Sequence, residues 1–263
     1  MKNILFLTDF SESSMHAMHY GCSLFSQKEH NYFILHVSKA GNLSLSKLAS
    51  SDSIYDTVIG DDKEKLKIIK NTLENQYNTT FKASIRFNNF IDAVQEYVSK
   101  YNIDTIVTGF DGANSLREKI FGSNTLKLIR SIQTKTIIVP QEAVLSKPKE
   151  VLCLLDDKDS LEVVLSPSVL QDKILKVVRV VNNNDYTTAS KDQFILKNHD
   201  QVNYQLISNI PLNYVKSYVL QTNPIDLTVL LIEETSVLDR LFIDNSTTKI
   251  NKSLYKPILI LHQ

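Results

Sequence analysis

Short apolar runs alternate with segments of helical period through the first half of the chain, and this alternation restricts the fold more than any other feature. Strands that are apolar throughout must be covered on both faces, and parallel neighbours need long crossovers, so the pattern predicts βαβ units around a parallel sheet. The expected strands are 3–7, 32–37, 81–87, 105–108 and 136–139. Helices are expected over 11–25 and 124–132, through Leu66, Ile69, Leu73 and Tyr77, and through Phe90, Val94, Tyr97 and Val98. Residues 41–60, rich in Ser and Asp, read as a long surface loop.

The second half repeats the first. Lys2-Asn3-Ile4-Leu5-Phe6-Leu7-Thr8-Asp9 lines up with Lys149-Glu150-Val151-Leu152-Cys153-Leu154-Leu155-Asp156. In the same way Ile34–Ala40 pairs with Leu175–Val181, Phe81–Phe87 with Val202–Ser208, and Ile137-Ile138-Val139 with Ile258-Leu259-Ile260. The falling offsets imply a second copy trimmed between its second and third strands. The expected division is a domain over 1–140, a linker over 141–148 after Pro140, and a shortened domain over 149–263.

Lys plus Arg equals Asp plus Glu at 29 each, so no net charge draws the chain to nucleic acid or an anionic membrane. The apolar run after Lys2 is too short for a signal core, and no stretch reaches the roughly 20 apolar residues of a membrane span. A soluble, cytoplasmic protein is expected. Cys22 and Cys153 form no CxxC pair and read as small buried apolar residues.

The segment Thr108-Gly109-Phe110-Asp111-Gly112, followed by Gly122-Ser123-Asn124-Thr125, carries the chemistry. The chain has six glycines and three stand here, where a strand gives way to a loop and a helix. Glycine lets a ligand approach the backbone closely. Gly122 and Ser123 would open the helix, whose unpaired N–H groups and dipole favour phosphate. Ser123, Asn124 and Thr125 could add hydrogen bonds to phosphate oxygens. No Gly-Lys-Ser/Thr triplet exists, so this is not a Walker A loop.

Gly109, Gly112, Gly122 and Ser123 match without a gap the Gly-x2-Gly-x9-Gly-Ser/Thr spacing of nucleotide-binding universal stress proteins, and the chain resembles that family. Leu7-Thr8-Asp9-Phe10-Ser11-Glu12-Ser13-Ser14 is similar to the family's first strand, its aspartate and the start of its first helix. The resemblance implies an α/β fold of two tandem open parallel-sheet, Rossmann-like domains with five strands in each. It implies ATP or another adenine nucleotide (AMP and a cyclic dinucleotide being the alternatives), with Mg²⁺ or Mn²⁺ at Asp9. Thr8 and Asp9 would lie at the ribose and phosphates, Val37 would present its backbone to adenine, and Thr108, Gly109, Asp111 and Gly112 would line ribose and phosphates. Gly122, Ser123, Asn124 and Thr125 would hold the phosphates. The alternative for Asp9 is a helix N-terminal acid, whereas Thr108 and Val37 equally suit strand packing.

In the second copy the glycines are gone, Asp244 replaces Gly122, and Glu233 and Glu234 would repel phosphate, so no nucleotide is expected there. His16 and His19 read as solvated helix residues, Asp156, Asp157 and Asp159 as a helix start, and Lys63, Lys65, Lys67 and Lys70 as a solvated helix face. No Ser-His-Asp triad or metallohydrolase signature can be assembled, so at most slow ATP hydrolysis is expected. The resemblance implies a nucleotide-dependent stress-response or signalling module with protein partners or self-association. The competing expectation is a nucleotide-free docking scaffold.

Overall fold

A computed structural model of the protein describes residues 1–25, 30–38, 52–110, 122–181, 187–197, 199–210, 224–232 and 256–263; for 52–58, 122 and 123 it describes the backbone alone. The chain divides into two compact units, Met1–Gln141 and Glu142–Gln263.

The first unit runs β1 (Lys2–Thr8), α1 (Glu12–Leu24), β2 (His30–Val37), α2 (Asp52–Tyr77), β3 (Phe81–Arg86), α3 (Phe90–Tyr101), β4 (Thr105–Phe110), α4 (Gly122–Ser131) and β5 (Lys135–Pro140). Its strands are parallel in the order β3-β2-β1-β4-β5. Alternation along each strand sends Leu5, Leu7, Phe33, Leu35 and Ile106 into one core with Val94 and Tyr97 of α3 and Leu128 of α4. The intervening Phe6 contacts the rings of Tyr32 and Phe81 at centroid distances of 6.0 and 6.1 Å. Each such side chain, fully buried, stabilises the fold by about 1.5–3 kcal/mol before entropy is counted.

Local chemistry sets the helix ends. Ser11 caps α1 by accepting from the Ser14 N–H, and Asn89 caps α3 by accepting from the Ile91 N–H at 3.0 Å. Asn102 ends α3 in the left-handed region at φ 46°, which asparagine tolerates better than most residues. The loop expected over 41–60 needs correction, because α2 already begins at Asp52. Acids at the start of a helix complement its dipole, so the Asp and Ser content taken as loop composition here opens a helix. Residues 41–51 lie outside the described residues.

The second unit runs β6 (Glu150–Leu155), α5 (Leu161–Leu165), a 3₁₀ turn (Ser168–Leu170), β7 (Ile174–Val181), α6 (Thr187–Leu196), β8 (Val202–Ser208), β9 (Leu227–Ile232) and β10 (Ile258–His262). The order β8-β7-β6-β9-β10, again parallel, reproduces that of the first unit. The 26-residue α2 has as its counterpart a 10-residue α6.

Strand register corrects two of the sequence pairings. Ile4 pairs with Tyr32 and Val151 with Leu175, so Tyr32 rather than Ile34 corresponds to Leu175. Likewise Ile106 pairs with Thr136 and Thr228 with Ile258, which makes Thr136, not Ile137, the counterpart of Ile258. Apolar runs look alike when slid by one or two residues; hydrogen bonds between strands do not slide.

One clasp recurs in both units at the start of the fourth strand. Asn3 N–H donates to Asp104 Oδ2 at 2.8 Å while Asp104 N–H donates to the Asn3 carbonyl at 2.9 Å. Glu150 N–H donates to Asp226 Oδ2 at 3.1 Å while Asp226 N–H donates to the Glu150 carbonyl at 2.9 Å. Removing the carboxylate strands a partly buried N–H, so Asp104→Ala and Asp226→Ala are each expected to destabilise the protein by about 1–3 kcal/mol in urea unfolding. Asp104→Asn, which keeps an acceptor, should cost less.

Candidate functional site

All strands of the first unit run the same way, so the residues that follow them gather at one edge of the sheet. Outside such carboxyl ends, where the strand order reverses, open α/β sheets bind their ligands. Here the chain moves from β1 to β2 on one side and returns to β4 on the other.

At the end of β1 the turn is held by its own polar groups. Thr8 Oγ1 accepts from the Phe10 N–H at 3.0 Å and bonds Ser14 Oγ at 3.0 Å. Asp9, exposed, accepts at Oδ1 from the Ser11 N–H at 3.1 Å and from Ser11 Oγ at 2.5 Å. Between them Phe10 takes φ 68°, a strained conformation for a bulky residue.

Gly109 has a packing reason that the spacing of glycines did not reveal. A methyl group there would lie 2.3 Å from the Ser13 carbonyl oxygen and 2.8 Å from the Ser14 nitrogen. The first turn of α1 therefore rests directly on the backbone of β4. Thr108, before it, is buried, and the Phe110 carbonyl accepts from the Gln141 N–H at 3.2 Å. Gln141 Nε2 also donates to Glu12 Oε2 at 3.0 Å, tying the residue after β5 to α1. The second unit repeats this bond between Gln263 Nε2 and Asp159 Oδ1 at 3.4 Å.

The β1 edge thus brings together Thr8, Asp9, Thr108 and Gly109. Val37 ends β2, half-buried against the core. Gly122 is the first residue of α4, Ser123 lies in its first turn, Asn124 is exposed and Thr125 buried. Asp111 and Gly112 lie outside the described residues, as do Glu233, Glu234 and Asp244 of the second unit.

Four residues at this edge escaped the sequence reading. Phe10 stacks on the His36 ring at 4.0 Å between centroids, with Lys65 Nζ 5.8 Å from the Phe10 centroid. His36, buried, donates from Nδ1 to the Thr8 carbonyl at 2.8 Å, and its Nε2 stands 3.4 Å from Asp62 Oδ2. Ser38 Oγ donates to the same Asp62 oxygen at 2.6 Å. A histidine inside an otherwise apolar strand was the available signal, since a buried polar group needs partners. Asp62 stayed hidden because it sits just past the segment read as loop.

The second unit fills the corresponding place with its own charge. Thr8 pairs with His36 in register, and Leu155 with Arg179. Arg179 is fully buried, donating to the Asp156 carbonyl, to the Asp159 carbonyl at 2.9 Å and to both Asp192 oxygens. Tyr204 Oη donates to Asp192 Oδ2 at 2.7 Å. A buried guanidinium is tolerable only with such complete pairing. Asp159, just before the Ser160 cap of α5, is also a buried acceptor for the Asp156 N–H at 2.7 Å. The Gly109 position is held by Leu231, also buried, and α5 has only five residues.

One other sequence expectation changes, and the one for the cysteines agrees with the structure. His19 is bridged to α2, its Nδ1 lying 2.9 Å from the Tyr77 hydroxyl, rather than simply solvated. Burial pushes the Cys22 thiol up to about 12 and the Cys153 thiol higher still, so both stay protonated, as small apolar residues do. Among the described residues no group of three or more His, Cys, Asp or Glu could hold a metal ion by itself.

Burial pushes the Asp9 carboxyl up, but hydrogen bonds from the Ser11 side chain and backbone outweigh it and hold the pKa below the ordinary 3.8. A depressed folded-state pKa gives stability that is complete above about pH 3.8 and is lost as the pH falls through the folded value. Asp9→Asn is therefore expected to be less stable than wild type at neutral pH, with the gap narrowing in acid; urea midpoints across the pH range measure it, and a constant gap would rule out the charge. At Gly109 the backbone contact leaves no room, so Gly109→Ala is expected to lower stability by about 1–3 kcal/mol, read from thermal unfolding.

A family model described as the universal stress protein family matches residues 1–140. A crystal structure of a universal stress protein from Archaeoglobus fulgidus is 14% identical and covers 99% of this chain and 98% of its own, with a TM-score of 0.68. A functionally unknown protein from Pseudomonas aeruginosa PAO1 is 11% identical, covering 100% of this chain and 92% of its own at a TM-score of 0.55. At such identities these likenesses show the fold alone. No curated protein matches the chain.

Proposed function

The chain belongs to the universal stress protein family, and from that premise we propose that its first unit binds an adenine nucleotide, ATP foremost, and acts as a stress-response or signalling module. The observation that carries this reading is the unbroken Gly109, Gly112, Gly122, Ser123 spacing, which falls within the matched residues and joins β4 to the first turn of α4. A helix start with glycine at its first position suits phosphate, through free N–H groups and the dipole. Asp9, exposed and held ionised, suits a Mg²⁺ or Mn²⁺ ion that would screen the phosphate charge. Thr8, Val37, Thr108, Asp111, Gly112, Asn124 and Thr125 complete the proposed lining.

In this reading residues 1–140 are the nucleotide-binding domain, 141–148 a linker and 149–263 a trimmed copy without nucleotide. The buried Arg179 network and Leu231 support an occupancy of one nucleotide per chain. No described helix is long and apolar enough to cross a membrane, and we place the module in the cytoplasm. Any hydrolysis would be slow, because the sequence offers no Ser-His-Asp triad and no metallohydrolase signature.

ATP with Mg²⁺ at a hundred times its dissociation constant is expected to stabilise the first unit by about 2.7 kcal/mol. Thermal shift reads this, and Gly122→Glu should abolish the response while leaving the protein folded. A wild-type protein that neither responds to ATP nor releases nucleotide on denaturation would instead support the nucleotide-free scaffold.

A further inference from the structure

We propose that Asp62 is the residue that selects the base, accepting a hydrogen bond from the exocyclic amino group of a 6-aminopurine. The inference rests on the nucleotide reading above and adds to it a residue on α2, outside the glycine motif. Strand order supplies the placement. The start of α4 follows β4, which lies on one side of β1, whereas Ser38 follows β2 on the other. A nucleotide with its phosphates at α4 and its sugar across the end of β1 therefore delivers its base to the end of β2.

There the chemistry is that of an acceptor. Asp62 is largely buried, its side chain 13% exposed. Both contacts described for its carboxylate, from Ser38 Oγ at 2.6 Å and with His36 Nε2 at 3.4 Å, fall on Oδ2. Among the described residues Oδ1 takes no hydrogen bond, leaving a fixed carboxylate oxygen with acceptor capacity beside the proposed base site. His36, bonded in turn to the Thr8 carbonyl and stacked by Phe10, holds the carboxylate against the β1 turn. A 6-amino group donates to such an oxygen. A 6-oxo group presents a lone pair to it and is repelled.

The test compares ATP with ITP, which differs at that one position, by titration calorimetry on the full chain with Mg²⁺. Wild type is expected to prefer ATP by roughly 10-fold or more, as a hydrogen bond to a charged group implies. Asp62→Asn, whose amide can donate to a 6-oxo group, should bring the two affinities to within about threefold or reverse them. Wild-type binding of ATP and ITP with equal affinity would overturn the inference with no variant needed. So would an unchanged ratio in a folded Asp62→Asn protein. Failure of the wild type to bind either nucleotide would overturn the nucleotide reading itself, a result distinct from binding without discrimination.

Discussion

The contact between the first turn of α1 and the bare backbone at Gly109 governs the geometry of the first unit. With the Ser13 carbonyl 2.3 Å from where a Cβ would stand, helix and strand approach as closely as two main chains can. That approach fixes where Ser11 caps the helix, and Ser11 in turn holds the Asp9 carboxylate and the sharp turn at Phe10. A leucine at the same place in the second unit fills the space, and the helix after β6 shrinks to five residues. One residue thus separates a helix seated directly on the main chain of β4 from a unit where a buried leucine stands at that position.

The two units answer a shared physical problem differently. Each ends its second strand with a basic side chain that reaches a main-chain carbonyl at the end of the first strand and a carboxylate on the next helix. In the second unit that residue is Arg179, charged, buried and saturated with partners, so the interior is committed to its own polar network. In the first it is His36, with fewer partners and a ring surface shared with Phe10. The Asp104 and Asp226 clasps and the paired Gln141 and Gln263 bonds show the same frame beneath the divergence.

Much of the architecture was legible because strands buried on both faces must be apolar, and because helix caps carry polar residues at fixed offsets. The start of α1 after its Ser11 cap follows directly from such chemistry. Register was not legible, since Ile34 and Tyr32 are equally good strand residues and only backbone pairing distinguishes them. The loop read over 41–60 failed at Asp52, where polar residues open a helix, and that error concealed Asp62.

The amino-acid sequence alone determined the parallel α/β fold, its repetition, and the glycine spacing that marks the family, because periodicity and residue type are local properties. Only the tertiary structure decided what those residues do to one another. Gly109 meets a carbonyl nearly a hundred positions earlier in the chain, His36 reaches back to Thr8, and Asp62 turns toward Ser38. Such contacts depend on the distance between elements far apart in the chain, which packing sets and local pattern does not encode.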